Sequence, residues 1–309
     1  MKKKFFIFIA LAALIALFAS AGPVLAQYTV TGDLSTSGFA ALSGQLSQTG
    51  TLAGLFNASS TGATYINNGS PYSDMYGNQD YIVATSSSGA TATFSVGEIT
   101  VGNQGSNINI TGSSSAGYTI SGPGQTLSNL TNINVVHTTM PVGTAGYSPS
   151  FTIQGSGLTT TTYNSSNFPT GYTTVTVPGS SGSSNNYTGV SLLTLLTNAG
   201  VITSNLNQYV IATGIDGGEA VLSMDEILQN STGNSTDIVA TSENGSALSQ
   251  ARGYARLVLP TDTGTSRSVF TLASLTVEPA TSPVPVPATL LLFAPGLAGL
   301  AALRRRFKK

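Results

Sequence analysis

The sequence predicts a strand-dominated chain made of two tandem copies of one unit, set between two apolar termini. Three observations carry this reading. First, YVIATGIDGGEAVLSMDEI at 209–227 repeats YIVATSSSGATATFSVGEI at 81–99 without a gap, keeping Tyr, Ala, Thr, Gly, Ser, Glu and Ile in place. Second, Thr, Val, Ile and Tyr alternate with small polar residues through the body, the pattern of half-buried strands. Third, the 309 residues are 40% hydrophobic but only 7% charged. Disordered chains are instead charged and poor in β-branched residues, and this length suffices for two domains with real cores.

Charge placement excludes one class of partner. All five Lys lie at the ends, at Lys2, Lys3, Lys4, Lys308 and Lys309. Residues 27–283 hold Arg252, Arg256 and Arg267 against all twelve acids, a net charge of −9. A body this acidic does not attract nucleic acid, whose binding is dominated by Lys and Arg neutralising phosphates. The chain has no Cys. Its stability in an oxidising compartment therefore rests on its cores, and it offers no thiolate nucleophile or thiolate metal ligand.

In chain order, residues 1–26 read as a secretory signal peptide. Lys2-Lys3-Lys4 is the basic start, an apolar run follows from Phe5, and Val24-Leu25-Ala26 is a small-residue cleavage site before Gln27. The first repeat, 27–137, opens with the strand YTVTG at 28–32. Leucines at 42, 46, 52 and 55 suggest short helical turns around Gly50, and 58–79 reads as a long loop. A hairpin over 81–94 and strands at 117–120 and 127–136 complete it. Residues 138–149 form a linker with two prolines and two glycines.

The second repeat, 150–279, restarts with FTIQG at 151–155. GSSGSSNN at 179–186 reads as a loop, and 190–199 is the best helix of the body, with Gly200 able to cap it. Ser223 and Glu226 fit a capping box, and Ser95 and Glu98 keep both partners in the first repeat. Strands at 256–259 and 269–277 close the unit. The offset between repeats drifts from 123 at the opening strands to 128 and then 142, as expected for a duplicated domain with different loop lengths.

The C-terminus carries the most specific motif. Pro283, Pro285 and Pro287 precede an apolar run at 288–303, and Arg304-Arg305-Arg306 follow at once. Sixteen residues are at the short end for crossing a bilayer, and the basic cluster would hold the end cytoplasmic. This 280–309 segment resembles the PEP-CTERM sorting signal: a proline motif, a transmembrane helix and a terminal Arg/Lys cluster. The usual Glu of Pro-Glu-Pro is Val286, between Pro285 and Pro287. The resemblance implies exosortase and the secretion machinery as partners, a transient stay in the inner membrane, and a final place at the surface or in the extracellular matrix of a bacterium.

The second repeat resembles the molybdopterin-binding domain of the sulfite oxidase family. The likeness lies in the order of Tyr187-Thr188-Gly189-Val190-Ser191-Leu192, Asp216-Gly217, Ser223, Glu226, Asp237-Ile238-Val239-Ala240, Glu243-Asn244-Gly245 and Arg256-Leu257-Val258-Leu259-Pro260. The first repeat keeps the skeleton and loses most of the polar residues: Asp216 becomes Ser88 and Arg256 becomes Ile120. The resemblance implies an α+β fold dominated by strands, and a molybdenum cofactor held through a Cys thiolate, with basic groups on the pterin phosphate. Neither the Cys nor a basic pocket is present, so no cofactor is expected.

Candidate sites are few. His137 is the only histidine, and a Ser-His-Asp triad would have to use it; a lone His is more often incidental. Asp216, Glu219, Asp225 and Glu226 are oxygen donors for Ca²⁺, but their spacing matches no calcium loop. Gly214 to Gly218 lacks the Lys of a phosphate loop and reads as a hairpin turn. Arg256, with Arg252 four residues earlier, is either a remnant anion contact or one side of an ion pair with Glu243 or Asp237; the ion pair is the simpler reading. Asp216, Arg252 and Arg256 are the ligand candidates, and no residue stands out as catalytic. The expectation is an exported, non-catalytic surface or matrix protein in contact with extracellular polysaccharide. Two alternatives stand beside it: a molybdopterin-dependent-oxidoreductase-like protein that still binds a small ligand in the second repeat, and a calcium-stabilised adhesive module.

Overall fold

The computed structural model describes residues 27–32, 44–46, 49–52, 64–66, 74–75, 79–100, 108–138, 143–144, 146–178, 183–230, 236–249, 252–262 and 267–280. In the first repeat the elements are β1 (Tyr28–Gly32), β2 (Gly44–Leu46), β3 (Gly50–Thr51), β4 (Thr64–Ile66), β5 (Asp74–Met75), β6 (Asp80–Ser86), β7 (Thr91–Ser95), α1 (Val96–Thr100), β8 (Asn109–Ser113), β9 (Gly117–Ser121), β10 (Thr126–Ser128) and β11 (Leu130–His137). The second has β12 (Ser150–Gly155), β13 (Thr161–Asn164), β14 (Thr173–Pro178), β15 (Ser184–Ser191), α2 (Leu192–Asn198), β16 (Gln208–Gly214), β17 (Glu219–Ser223), α3 (Met224–Gln229), β18 (Ile238–Glu243), β19 (Ser246–Ala247), β20 (Arg256–Val258) and β21 (Leu272–Pro279).

The two halves share a strand order. One sheet runs β2-β1-β11-β6-β7 and its counterpart β13-β12-β21-β16-β17. In both, the opening strand pairs parallel with the closing one while the remaining neighbours are antiparallel. Each repeat adds another sheet, β10-β9-β8-β3 in the first and β14-β15-β18-β19 in the second, where β20 also pairs with β18. The closing strand is entered through a residue at positive φ in both repeats, Asn129 at 56° and Thr271 at 47°. The strand-dominated α+β expectation holds.

Period-two burial decides which face of each strand enters the core. In β12 Phe151 and Ile153 are buried while their neighbours are not, and β11 buries Leu130, Ile133 and Val135. The second core joins β12 to Leu192, Leu195 and Leu196 of α2, and the first gathers the β11 residues with Val30, Ile82, Phe94, Ile110 and Ile120. At roughly 25 cal/mol per Å² of apolar area, each such side chain adds about 1.5–3 kcal/mol. Beyond α2, Gly200 sits at φ 85° and the amides of Gly200 and Val201 return to Thr197 and Leu196 carbonyls, so the expected C-terminal stop is there.

Four local expectations are corrected. Residues 44–46 and 50–51 form strands where leucine spacing suggested helical turns, Gly44–Leu46 at the edge beside β1 and Gly50–Thr51 paired with β8, while Leu52 is helical and Leu55 lies outside the described residues. Strand partners for the backbone outweigh a two-leucine helical period. The loop expected over 58–79 contains the short pair β4 and β5. The loop expected over 179–186 ends at Ser184, because Ser184, Asn185 and Asn186 pair with Pro178, Val177 and Thr176. Asn and Ser at the solvated end of a strand read like loop residues. Likewise the helix expected over 190–199 begins at Leu192, since Val190 and Ser191 still belong to β15 and pair with β18.

The two repeats pack on each other through corresponding parts. Tyr81 stacks on Tyr209, its own counterpart, with ring centroids 4.1 Å apart and 24° between planes. Val83 and Val221 join them in a small shared cluster. Equivalent residues meeting at one point is the signature of a two-fold relation, here within one chain.

Both termini fall outside the described residues, including Ala26, the run at 288–303, and Pro285, Val286, Pro287, Arg304, Arg305 and Arg306. Gln27 is exposed directly before β1. Among the described residues no helix is long and apolar enough to cross a membrane.

Candidate functional site

The second sheet of the second repeat carries the densest set of polar groups that the sequence singled out. Arg256 opens β20 beside Ala240 of β18, its side chain 2% exposed. Its guanidinium carbon lies 3.8 Å from the Phe270 ring centroid and 4.7 Å from that of Tyr187. Two aromatic faces are a favourable surround for a desolvated cation. Nη1 donates to the Tyr187 hydroxyl, while Nε is buried without a hydrogen-bond partner. Burial lowers the Arg256 pKa from its ordinary value, with Tyr187 opposing.

Arg252 completes the cluster from outside. It forms an ion pair with Glu243, and its side chain is 36% exposed against 18% for Glu243. Tyr187 donates to the other Glu243 oxygen at 2.6 Å. Partial burial pushes the Glu243 carboxyl up, but the Tyr187 and Arg252 hydrogen bonds outweigh it and the pKa falls below the ordinary value. The sequence reading paired Arg256 with Glu243 or Asp237; the structure gives Glu243 to Arg252. Asp237 instead accepts from Asn230, and its burial pushes its carboxyl well up. Arg256 makes no ion pair among the described residues. Tyr187 and Phe270 were not predicted as site residues, and both are brought to Arg256 from distant positions by the fold.

Asp216 lies elsewhere, in the turn between β16 and β17, where its Oδ1 accepts from the Gly218 amide. That is the hairpin turn the sequence predicted. Its proposed companions have separate duties. Thr138 donates to Glu219, Asp225 accepts from the Gly124 amide, and Glu226 pairs with Arg267. Among the described residues no group of three or more His, Asp or Glu is arranged to hold a metal. His137 Nδ1 is 2.9 Å from Asp80 Oδ1 at the end of β11.

The cofactor implied by the family resemblance can be tested against these donors. A thiolate-held molybdenum needs a Cys, and the chain has none; a hydroxyl is a different class of ligand for such a metal. To reach Arg252 and Arg256 the pterin phosphate would have to displace Glu243 from Arg252. Arg267 is closed off between Glu226 and Asp262. The residues present do not fit a thiolate-ligated molybdopterin centre.

Comparison with known proteins bears on the same region. Residues 151–285 match the model of the oxidoreductase molybdopterin binding domain, somewhat less than half of the chain. No curated protein matches. Among solved structures, the sulfane dehydrogenase SoxCD from Paracoccus pantotrophus is similar at 20% identity and a TM-score of 0.34, over 46% of this chain and 41% of that one. The chain thus spans less than half of that structure's length, and so slight a likeness carries no argument. The domain match corrects one expectation: it points to an oxidoreductase, against the reading of a protein without catalysis.

Proposed function

We propose that the second repeat is an oxidoreductase-type domain that binds a small anionic ligand at the Arg252–Arg256 cluster. The observation that carries this is the Arg256 guanidinium, buried between Tyr187 and Phe270 with Nε unpartnered, inside the segment that matches the oxidoreductase domain. A buried donor without a partner costs about 1–3 kcal/mol, more when charged, so an acceptor there is favourable. Access is through half-exposed Arg252, and Glu243 is the internal carboxylate an anion must displace. The signal peptide and the sorting tail supply the address: export, exosortase processing, and a surface or matrix location where extracellular polysaccharide is the neighbouring polymer.

Calorimetry of the full chain with sulfite, sulfate and phosphate tests the site. Glu243→Gln should raise anion affinity about tenfold, equivalent to ~1.4 kcal/mol, and Arg252→Ala should abolish binding. Failure of all three anions to bind both wild type and Glu243→Gln removes the proposal. Metal analysis and absorbance of the natively purified chain identify any resident redox group, and stoichiometric molybdenum would contradict the Cys-free donor set.

A further inference from the structure

The joint between the repeats is built from two serine N-caps that exchange partners, one of them, Ser95 with Glu98, a complete capping box. Ser95 caps α1, accepting from the Glu98 amide at 3.0 Å, and Ser223 caps α3, accepting from the Glu226 amide at 3.0 Å. Each hydroxyl then donates across the joint: Ser95 to Glu226 Oε2 at 2.9 Å, Ser223 to Glu98 Oε2 at 2.8 Å. Both glutamates are fully buried, Glu98 at 0% and Glu226 at 1% exposure. Arg267 neutralises the Glu226 side, contacting Glu226 and Asp262 and reaching Ser95 Oγ at 3.4 Å.

Among the described residues Glu98 has no equivalent cation. Its Oε2 receives the Ser95 amide and the Ser223 hydroxyl, and its Oε1 is buried with no hydrogen-bond partner. An ionised carboxylate there would leave half its charge unsolvated beside Glu226 and Asp225, whereas a protonated one asks for much less. We propose that a neutral Glu98 carboxyl closes the joint between the repeats, and that the joint opens when this carboxyl loses its proton. Charged and titratable groups facing Glu98 are Glu226 and Asp225 on α3, with Arg267, Asp262 and Asp237 behind Glu226.

The sign follows from linkage. Burial first, and then Glu226, push the Glu98 carboxyl well above its ordinary value of 4.5, with Ser223 opposing. The folded state therefore keeps a proton that the unfolded chain releases near pH 4.5. Stability from this group is complete below that pH and is lost as pH rises through the folded value. Within that window the folded-to-unfolded ratio falls about tenfold per pH unit for one proton.

The test uses the full chain from pH 4 to 10, with urea unfolding and small-angle scattering read together. Wild type should lose stability as pH rises and expand in radius of gyration at the alkaline end. Glu98→Gln, neutral at every pH, should lower the slope by close to one proton and stay compact. Asp237→Asn also removes a proton-holding carboxyl, but one within the second repeat, and should still expand like wild type. Equal pH profiles for wild type and Glu98→Gln overturn the proposal. A wild type that stays compact to pH 10, or loss of the expansion in Asp237→Asn alone, overturns it equally.

Discussion

Replacing Arg267 with Met should cost about 3–5 kcal/mol, the usual penalty for removing one partner of a buried ion pair. Arg267 is 0% exposed and gives Nε and Nη2 to Asp262 at 2.9 and 2.6 Å, and Nη2 to Glu226 at 2.5 Å. Met matches the apolar stem but leaves two buried carboxyls without a counter-ion. Against a total stability of about 5–15 kcal/mol this is a large fraction, equal to roughly 6–20 °C in Tm at 2–4 °C per kcal/mol. Because Arg267 also reaches Ser95 of the first repeat, the single urea transition should split in two. The deficit should shrink on acidification: burial raises the Glu226 pKa and Arg267 opposes it, so without Arg267 the carboxyl protonates at higher pH. Urea unfolding at pH 4.5 and 7.5 measures both effects. A loss below 1 kcal/mol, or a deficit that grows in acid, would refute the counter-ion role.

Two further outcomes follow from packing. Leu196→Ala removes a fully buried side chain of α2 from the second core and should cost about 2–5 kcal/mol by urea titration; a change under 1 kcal/mol would mean that the helix is not docked as described. Gly97→Ala reverses an ordinary rule. In an open helix the change stabilises by roughly 0.5–1 kcal/mol, but here the new Cβ collides with Arg267 Cδ, so thermal unfolding should show a loss of about 1–3 kcal/mol. A gain would show that Arg267 does not fill that space.

The fold was legible where a residue's role is local. Ser95-x-x-Glu98 and Ser223-x-x-Glu226 announce capping boxes because the amides they satisfy lie three residues away. The hairpins of β6–β7 and β16–β17 announce themselves by alternation and a turn. What failed depended on distant partners. Gly44–Leu46 is a strand because β1 offers it an edge, which leucine spacing cannot reveal. Ser184 to Asn186 extend β15 because β14 lies beside them, though their composition is that of a loop. Arg256 was matched with acids of the preceding segment, Glu243 and Asp237, yet its surround is Phe270 and Tyr187, the latter 69 residues earlier. Arg267 was noted only as one of three basic residues, because Asp262 is its one close partner in sequence and Glu226 and Ser95 are brought to it by the fold.

The departures from two-fold symmetry explain why one repeat could not simply pair with a copy of itself. Position 97 is Gly because Arg267 occupies the space in front of it; its counterpart is Asp225, which faces Gly122 and Gly124 across the joint. By the offset that matches Asn129 with Thr271, Arg267 corresponds to Gln125, whose amide bonds the Thr93 backbone in both directions. Two second repeats facing each other would set a side chain at position 225 against each Arg267, where Gly97 now leaves room. Two first repeats would bury both joint glutamates with no Arg. Only the mixed pair supplies one cation and the space to hold it. Duplication therefore let the repeats divide their duties: the first keeps the strands and Glu98 that complete the joint, while the second keeps Arg252, Arg256, Tyr187 and Glu243. The proposed ligand site uses those groups in one copy alone, whereas the joint needs both copies to differ.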